Sequence, residues 1–218
     1  YAVSKAACAS LLHYWGKKQA LPCANLRLYS VYGPLEDSSR LIPTVVRLGM
    51  QGRYPELVDP EVSRDFVYVD DVTEAFVTVA LDLRDEDFGE SFNIGSGRKT
   101  SIADVAVAAA RLFGIATPPV YRSMPNRAWD LSEWFANPAR ARDRLGWAAS
   151  TSFDDGLART AEWYRGLQEK ERYRAASKQF GLDARHSVSA IVACYKDDQA
   201  IPIMYDRLQA IFCKLQVE

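Results

Sequence analysis

Cysteine and histidine are scarce in this chain, and neither is grouped. Cys8, Cys23, Cys194 and Cys213 include no C-x-x-C pair, and His13 and His186 are the only histidines. A zinc centre or disulfide framework is therefore not expected, and free thiols of a reducing cytoplasm are. Charge of one sign is missing too: 27 basic residues face 28 acidic ones, for a net charge of -1. That balance argues against the broad basic surface by which proteins bind nucleic acid, and leaves local basic sites open. No apolar run reaches the ~18 residues a membrane helix needs, so no membrane span is expected in this stretch. What remains is a soluble globular chain of 218 residues, whose 48% hydrophobic content suffices for a core.

What is there begins with Tyr1-Ala-Val-Ser-Lys5. In a helix, four residues make about one turn, so phenol and ammonium share a face. A phenol titrates near ~10, and moving it to neutrality requires roughly 3 units, on the order of 4 kcal/mol. One ammonium about 4 Å away, at an effective dielectric of about 20, supplies roughly that much. The spacing alone is not specific, because Tyr14-Trp-Gly-Lys-Lys18 repeats it.

The Ala-rich run behind Tyr1 predicts a helix to about Lys18, stopped by Pro22. Ala24 to Val31 alternates as a strand, with Leu26, Leu28 and Ser30 opposite Arg27, Tyr29 and Val31. Ser38 or Ser39 is expected to cap a helix carrying Leu41, Ile42, Val45, Val46 and Leu48, with Pro43 in its first turn. Phe66 to Val69 reads as a strand, with Asp70 or Asp71 capping a helix from Val72 to Leu83. Ser91 to Ile94 is a further strand, leading through Gly95-Ser-Gly97 to a capping-box start at Ser101 for a helix reaching Phe113. Pro118 to Tyr121 is expected as another strand. A short helix from Pro138 to Leu145, ended by Gly146, precedes the last one, Ser152 to Arg165. Strand followed at once by helix is the α/β signature.

A charged stretch, Gln168 to Arg174, follows and leads into a linker lasting to about His186. Val188 to Cys194 then reads as a buried strand, followed by a helix after Pro202. Three segments are expected: residues 1–165, a charged helix tail and linker over 166–186, and the start of a second α/β domain over 187–218. Because the chain opens at Tyr1 inside a helical pattern, it is expected to be a piece of a longer polypeptide.

Several stretches match one pattern together: Tyr1-Ala-Val-Ser-Lys5, Leu26-Arg-Leu-Tyr-Ser-Val-Tyr-Gly-Pro34, Arg40-Leu-Ile-Pro43, Ser63-Arg-Asp-Phe-Val-Tyr-Val-Asp-Asp71 and Phe92-Asn-Ile-Gly95. In order and spacing they resemble the extended short-chain dehydrogenases that act on nucleotide sugars, the epimerase/dehydratase group, over roughly residues 1–165. The resemblance implies the C-terminal part of a Rossmann-type fold with its substrate-binding region. It implies NAD or NADP as cofactor, a nucleotide-diphosphate sugar as substrate, and a possible homodimer. Tyr1 would exchange a proton with the sugar, and Lys5 would lower its pKa and bind the nicotinamide ribose. Tyr29 and Val31 would lie by the cofactor, and Ser30, where many relatives carry Asn, by the sugar. Arg64 matches the arginine that grips the diphosphate, Arg127-Ala-Trp-Asp130 resembles the later Arg-x-Gly-Asp loop, and Arg40 falls where relatives place a polar phosphate contact. Trp129 could stack on the base or simply pack.

The glycine-rich turn that cradles the cofactor pyrophosphate is absent from these 218 residues. Gly95-Ser-Gly97 lacks the Lys-Ser/Thr of a phosphate loop and reads as a tight turn. The isolated polypeptide is therefore expected to bind NAD poorly and to be inactive. Ser187 to Asp198 resembles the opening of family-two glycosyltransferases, which implies a parent that both makes and transfers an activated sugar in polysaccharide biosynthesis. The alternative is a non-catalytic nucleotide-sugar-binding module attached to that glycosyltransferase.

Overall fold

A computed structural model describes residues 2–127, 130–171, 173 and 174. Tyr1, Trp129 and the expected second domain at 187–218 lie outside the described residues. The elements run in the order α1 (Ala2–Gln19), β1 (Asn25–Leu28), β2 (Ser30–Tyr32), α2 (Leu41–Gly49), β3 (Ser63–Arg64), β4 (Phe66–Tyr68), α3 (Val69–Asp82), β5 (Ser91–Ile94), β6 (Thr100–Ser101), α4 (Ile102–Phe113), α5 (Ala139–Leu145) and α6 (Phe153–Gly166).

The strand expected over residues 24–31 is divided. At Tyr29 the chain kinks, with the Val31 amide donating to the Tyr29 carbonyl at 2.9 Å. β1 pairs parallel with β5, Leu26 opposite Phe92, whereas β2 pairs parallel with β4, Val31 opposite Val67. The kink shifts the alternation: Val31 joins Leu26 and Leu28 against the cluster of Val67, Val72, Phe92, Ile94 and Trp147, beneath α3 and α5. Tyr32 enters a second cluster, with Ile42, Val46, Val105 and Leu157, among α2, α4 and α6. Parallel strands covered on both faces by helices are the doubly wound arrangement.

Helix ends follow local chemistry at some points and depart from it at others. Ser101 and Asp104 form the expected capping box, and Gly114 and Gly146 close α4 and α5 in the left-handed conformation that glycine adopts without strain. α2 is not capped by Ser38 or Ser39; its N-cap is Arg40, without a side-chain cap bond, and the Ser39 hydroxyl donates instead to Asp37 at 2.8 Å. α3 begins at Val69 with Tyr68 as N-cap, earlier than expected. Asp71 turns inward, where its carboxylate accepts from Ser150 Oγ at 2.9 Å and the Thr151 amide at 3.0 Å, while Trp147 Nε1 donates to its carbonyl at 2.9 Å. A buried acid is worth more as an anchor for the 147–151 segment than as a cap on the surface. Pro118 to Tyr121 forms no strand: the amides of Arg122 and Ser123 bond the carbonyls of Val58 and Leu57, leaving Val120 exposed.

α1 carries no single apolar stripe; Val3, Leu11, Tyr14 and Trp15 are exposed. It docks through backbone proximity. A Cβ on Gly16 would lie 2.2 Å from the Gly89 amide nitrogen, and Gly89 itself has φ +77. Around that contact, Lys17 Nζ donates to the Glu86 carbonyl and pairs with Glu90, both at 2.9 Å. The added methyl of Gly16→Ala meets backbone that cannot move aside, so it is expected to destabilise the fold by about 1–3 kcal/mol in chemical denaturation followed by tryptophan fluorescence.

Candidate active site

The site is built on the two residues of β3 and on Asp65, which joins them to β4. Arg64 Nη2 donates to Asp130 Oδ1 at 2.6 Å, with the Asp130 side chain only 6% exposed. The other Asp130 oxygen accepts the Arg127 amide at 2.8 Å, and the Asp130 amide returns a bond to the Arg127 carbonyl at 3.0 Å. One carboxylate thus joins the two arginine-bearing segments. Arg64 Nη1 is spent on the Ser63 carbonyl at 2.7 Å, which orients the guanidinium plane. The Arg127 residue is exposed.

The segment from Asp130 to Ala136 has neither helix nor strand to hold it. Ser63, fully buried, supplies the ladder: its amide donates to the Leu131 carbonyl at 2.9 Å, its hydroxyl donates to the Ser132 carbonyl at 2.6 Å and accepts the Trp134 amide at 3.3 Å. Lys99 adds an ion pair with Glu133. The indole of Trp134 is thereby set against the Tyr29 ring, centroids 6.2 Å apart at 47°.

Asp65 is completely buried. Its Oδ1 accepts the Ser96 amide and hydroxyl, each at 2.7 Å; its Oδ2 accepts the amides of Gly97 and Ala136, each at 2.9 Å. Its carbonyl accepts the Ser30 amide at 2.9 Å. Gly95 is required beside it, since a Cβ there would lie 2.9 Å from Oδ2 and 2.7 Å from the Ala136 methyl. The Gly95-Ser-Gly97 turn is therefore an anion nest, but the anion it holds is the protein's own carboxylate. Sequence reasoning passed over Asp65, although an acid between Arg64 and the apolar run Phe66 to Tyr68 is a residue that must find buried partners.

Tyr29 and Ser30 thus sit at the kink between the two parallel pairs, tied to Ile94 by the Tyr29 amide at 3.1 Å and to Asp65 by the Ser30 amide. Burial, then the negative charge of Asp65, raises the Tyr29 pKa against a smaller lowering by Arg27. Burial is also the leading cause of raised values at Tyr32, Tyr54, Tyr121 and Tyr173. None of these five phenols is tuned to exchange protons at neutral pH. Val31 is half-buried, with one side packed against the cluster of Leu26 and Phe92. Lys5 lies half-buried in the first turns of α1, and the geometry of its pair with Tyr1 falls outside the described residues. Arg40, the N-cap of α2, has its Nε 3.3 Å from Glu36 Oε1. Among the described residues no group of His, Cys, Asp and Glu converges as a metal site. No helix among them is long and apolar enough to cross a membrane. Replacing a carboxylate that takes several short bonds from fixed donors leaves some of them unmatched: Asp65→Asn is expected to cost about 3 kcal/mol in thermal or chemical unfolding.

Comparisons with known proteins agree with this architecture. Residues 1–95 match the model of the NAD dependent epimerase/dehydratase family. A trifunctional UDP-glucose 4,6-dehydratase/UDP-4-keto-6-deoxy-D-glucose 3,5-epimerase/UDP-4-keto-L-rhamnose-reductase of Arabidopsis thaliana is 32% identical over 165 residues, 75% of this chain and 24% of that protein. A dTDP-L-rhamnose 4-epimerase of Burkholderia thailandensis is 33% identical over 182 residues, 79% of this chain and 47% of that protein. Among solved structures, UDP-glucose 4-epimerase of Thermotoga maritima with UDP-glucose superposes with a TM-score of 0.65 at 29% identity, covering 76% of this chain and 53% of that one. Other structural neighbours hold NAD, NADH, or NAD with UDP or UDP-glucuronic acid. The chain thus spans between a quarter and about half of the length of such relatives. Its fold is the Rossmann-like α/β fold of NAD-dependent epimerases and dehydratases, and its N-terminal part carries the match to that family.

Proposed function

We propose that this chain is the substrate-side part of an NAD-dependent enzyme that remodels a nucleotide-diphosphate sugar by epimerisation, dehydration or reduction. The observation that carries this reading is the Asp130 carboxylate, which holds the Arg64 guanidinium at 2.6 Å and the Arg127 backbone at 2.8 Å. The acid thus ties one guanidinium to the backbone of a second arginine, and a guanidinium's planar fork matches phosphate oxygens. The similarity to proteins solved with UDP-glucose, UDP and UDP-glucuronic acid supports a nucleotide diphosphate as that anion.

In this reading Arg64 and Arg127 bind the diphosphate, with Asp130 tying Arg64 to the Arg127 backbone and Arg40 contributing from the N-cap of α2. Ser30 faces the sugar, while Tyr29 and Val31 border the nicotinamide. Tyr1 takes the proton from a sugar hydroxyl, or returns it to a carbonyl, and the Lys5 ammonium stabilises the phenolate that this requires. NAD or NADP, when bound, supplies the hydride acceptor and donor. The described residues do not provide the pyrophosphate cradle: the Gly95-Ser-Gly97 nest is filled by Asp65. The 218-residue polypeptide is accordingly expected to bind NAD weakly and to be inactive alone. Residues 187–218, by their sequence resemblance, open a family-two glycosyltransferase domain in the same reading.

Calorimetry with UDP-glucose tests the substrate half on this polypeptide. Arg64→Ala is expected to weaken binding by about tenfold or more, the loss of one charge-assisted contact; unchanged affinity would remove Arg64 from the site. In a polypeptide that also carries the glycine-rich turn, Tyr1→Phe is expected to abolish turnover and leave UDP-glucose affinity nearly intact. Retained turnover sinks the proton-transfer role. Binding without turnover before any substitution would favour a non-catalytic nucleotide-sugar module.

A further inference from the structure

Tyr173 lies in the charged stretch beyond α6, and the proposed site makes no use of it. Its ring stands edge-on to Trp163, with centroids 5.3 Å apart at 89°, and to Tyr164 at 6.3 Å and 68°. From that aromatic seat its hydroxyl donates to the Glu36 carbonyl, in the loop between β2 and α2. Burial, followed by the negative charges of Glu36 and Asp37, pushes the phenol up, so that it remains a donor through the neutral range.

The loop that receives this bond is strained. Gly33 has φ +140, and Leu35, next to Glu36, has φ +69, a left-handed conformation that a residue with a side chain rarely adopts. Such a conformation persists only where surrounding contacts hold it. Tyr173 supplies one immediately after the strained residue. The remainder of the loop leads directly to Arg40: the Glu36 side chain, 9% exposed, pairs with Arg40 Nε at 3.3 Å, and the Arg40 amide donates to the Asp37 carbonyl at 2.9 Å. One carbonyl and one ion pair therefore separate the Tyr173 hydroxyl from the Arg40 guanidinium.

We propose that Tyr173 is a positioning residue, latching the segment after α6 onto the Gly33–Arg40 loop and so orienting Arg40 toward the anionic part of the substrate, a step that rests on the nucleotide-sugar reading above. By linkage, the substrate also tightens the latch: whatever free energy the docked segment contributes to binding, binding returns to the docking.

The test uses the 218-residue chain, with UDP as the probe. Tyr173→Phe keeps the ring in its aromatic seat and removes only the hydroxyl. Amide exchange across residues 35–40 is expected to quicken about fivefold in this variant, and UDP affinity to fall by about three- to fivefold. Arg40→Ala is expected to weaken UDP binding about tenfold, and the double variant to bind no worse than Arg40→Ala, since the hydroxyl acts through that arginine. Unchanged exchange in Tyr173→Phe overturns the latch whether or not UDP binds. Faster exchange with unchanged UDP affinity, or additive losses in the double variant, overturns the positioning role. A wild-type chain that does not bind UDP overturns the proposed function instead, while the exchange measurement still decides the latch.

Discussion

A fully buried carboxylate is costly unless its oxygens are met by donors, and the site in this protein is arranged around one that is. Asp65 gathers the amides of Ser96, Gly97 and Ala136 and the Ser96 hydroxyl onto its side chain, and the Ser30 amide onto its carbonyl. Those donors come from three segments remote in sequence, so the position of each depends on the others. The same residue sits between Arg64, which pairs with Asp130, and Phe66, which opens a core strand. The candidate arginine and the hydrophobic core are therefore coupled through a single residue.

Polar pins replace secondary structure where the chain carries its candidate binding groups. Ser63, Asp65 and Asp130 together fasten the 130–136 segment, and Asp71 does the same for residues 147–151 leading into α6. Segments held by discrete hydrogen bonds can present Arg127 and Trp134 at a surface that a helix or sheet would have to fill with its own backbone ladder. Acidic residues are thus used internally here, as fixtures for an arginine and for backbone amides.

The sequence made some of these features legible. The strand-helix rhythm, the Ser101 and Asp104 box, the helix reaching Phe113 and the Gly146 end follow from local chemistry and were readable residue by residue. The resemblance blocks brought Arg64, Arg127 and Asp130 into one expectation, and the structure joins Arg64 and the Arg127 backbone through Asp130. What was not legible had long-range causes. Asp71 reads as a cap until Ser150 and Thr151, some eighty residues on, are seen to claim it. Pro118 to Tyr121 reads as a strand, but no strand among the described residues lies beside it to accept its bonds.

Sequence alone determined the periodicities, the punctuating glycines and prolines, and the set of chemical groups available, because these act over one turn of helix or one pair of neighbouring residues. Tertiary structure decided which groups meet. It broke the alternation at Tyr29, since β2 must leave the line of β1 to pair with β4. It filled the Gly95-Ser-Gly97 nest with Asp65 and put Gly16 against Gly89. Each of these depends on the distance between atoms far apart in the chain, a quantity that local propensity does not carry and that burial, by forbidding unpaired polar groups and overlapping ones, makes definite.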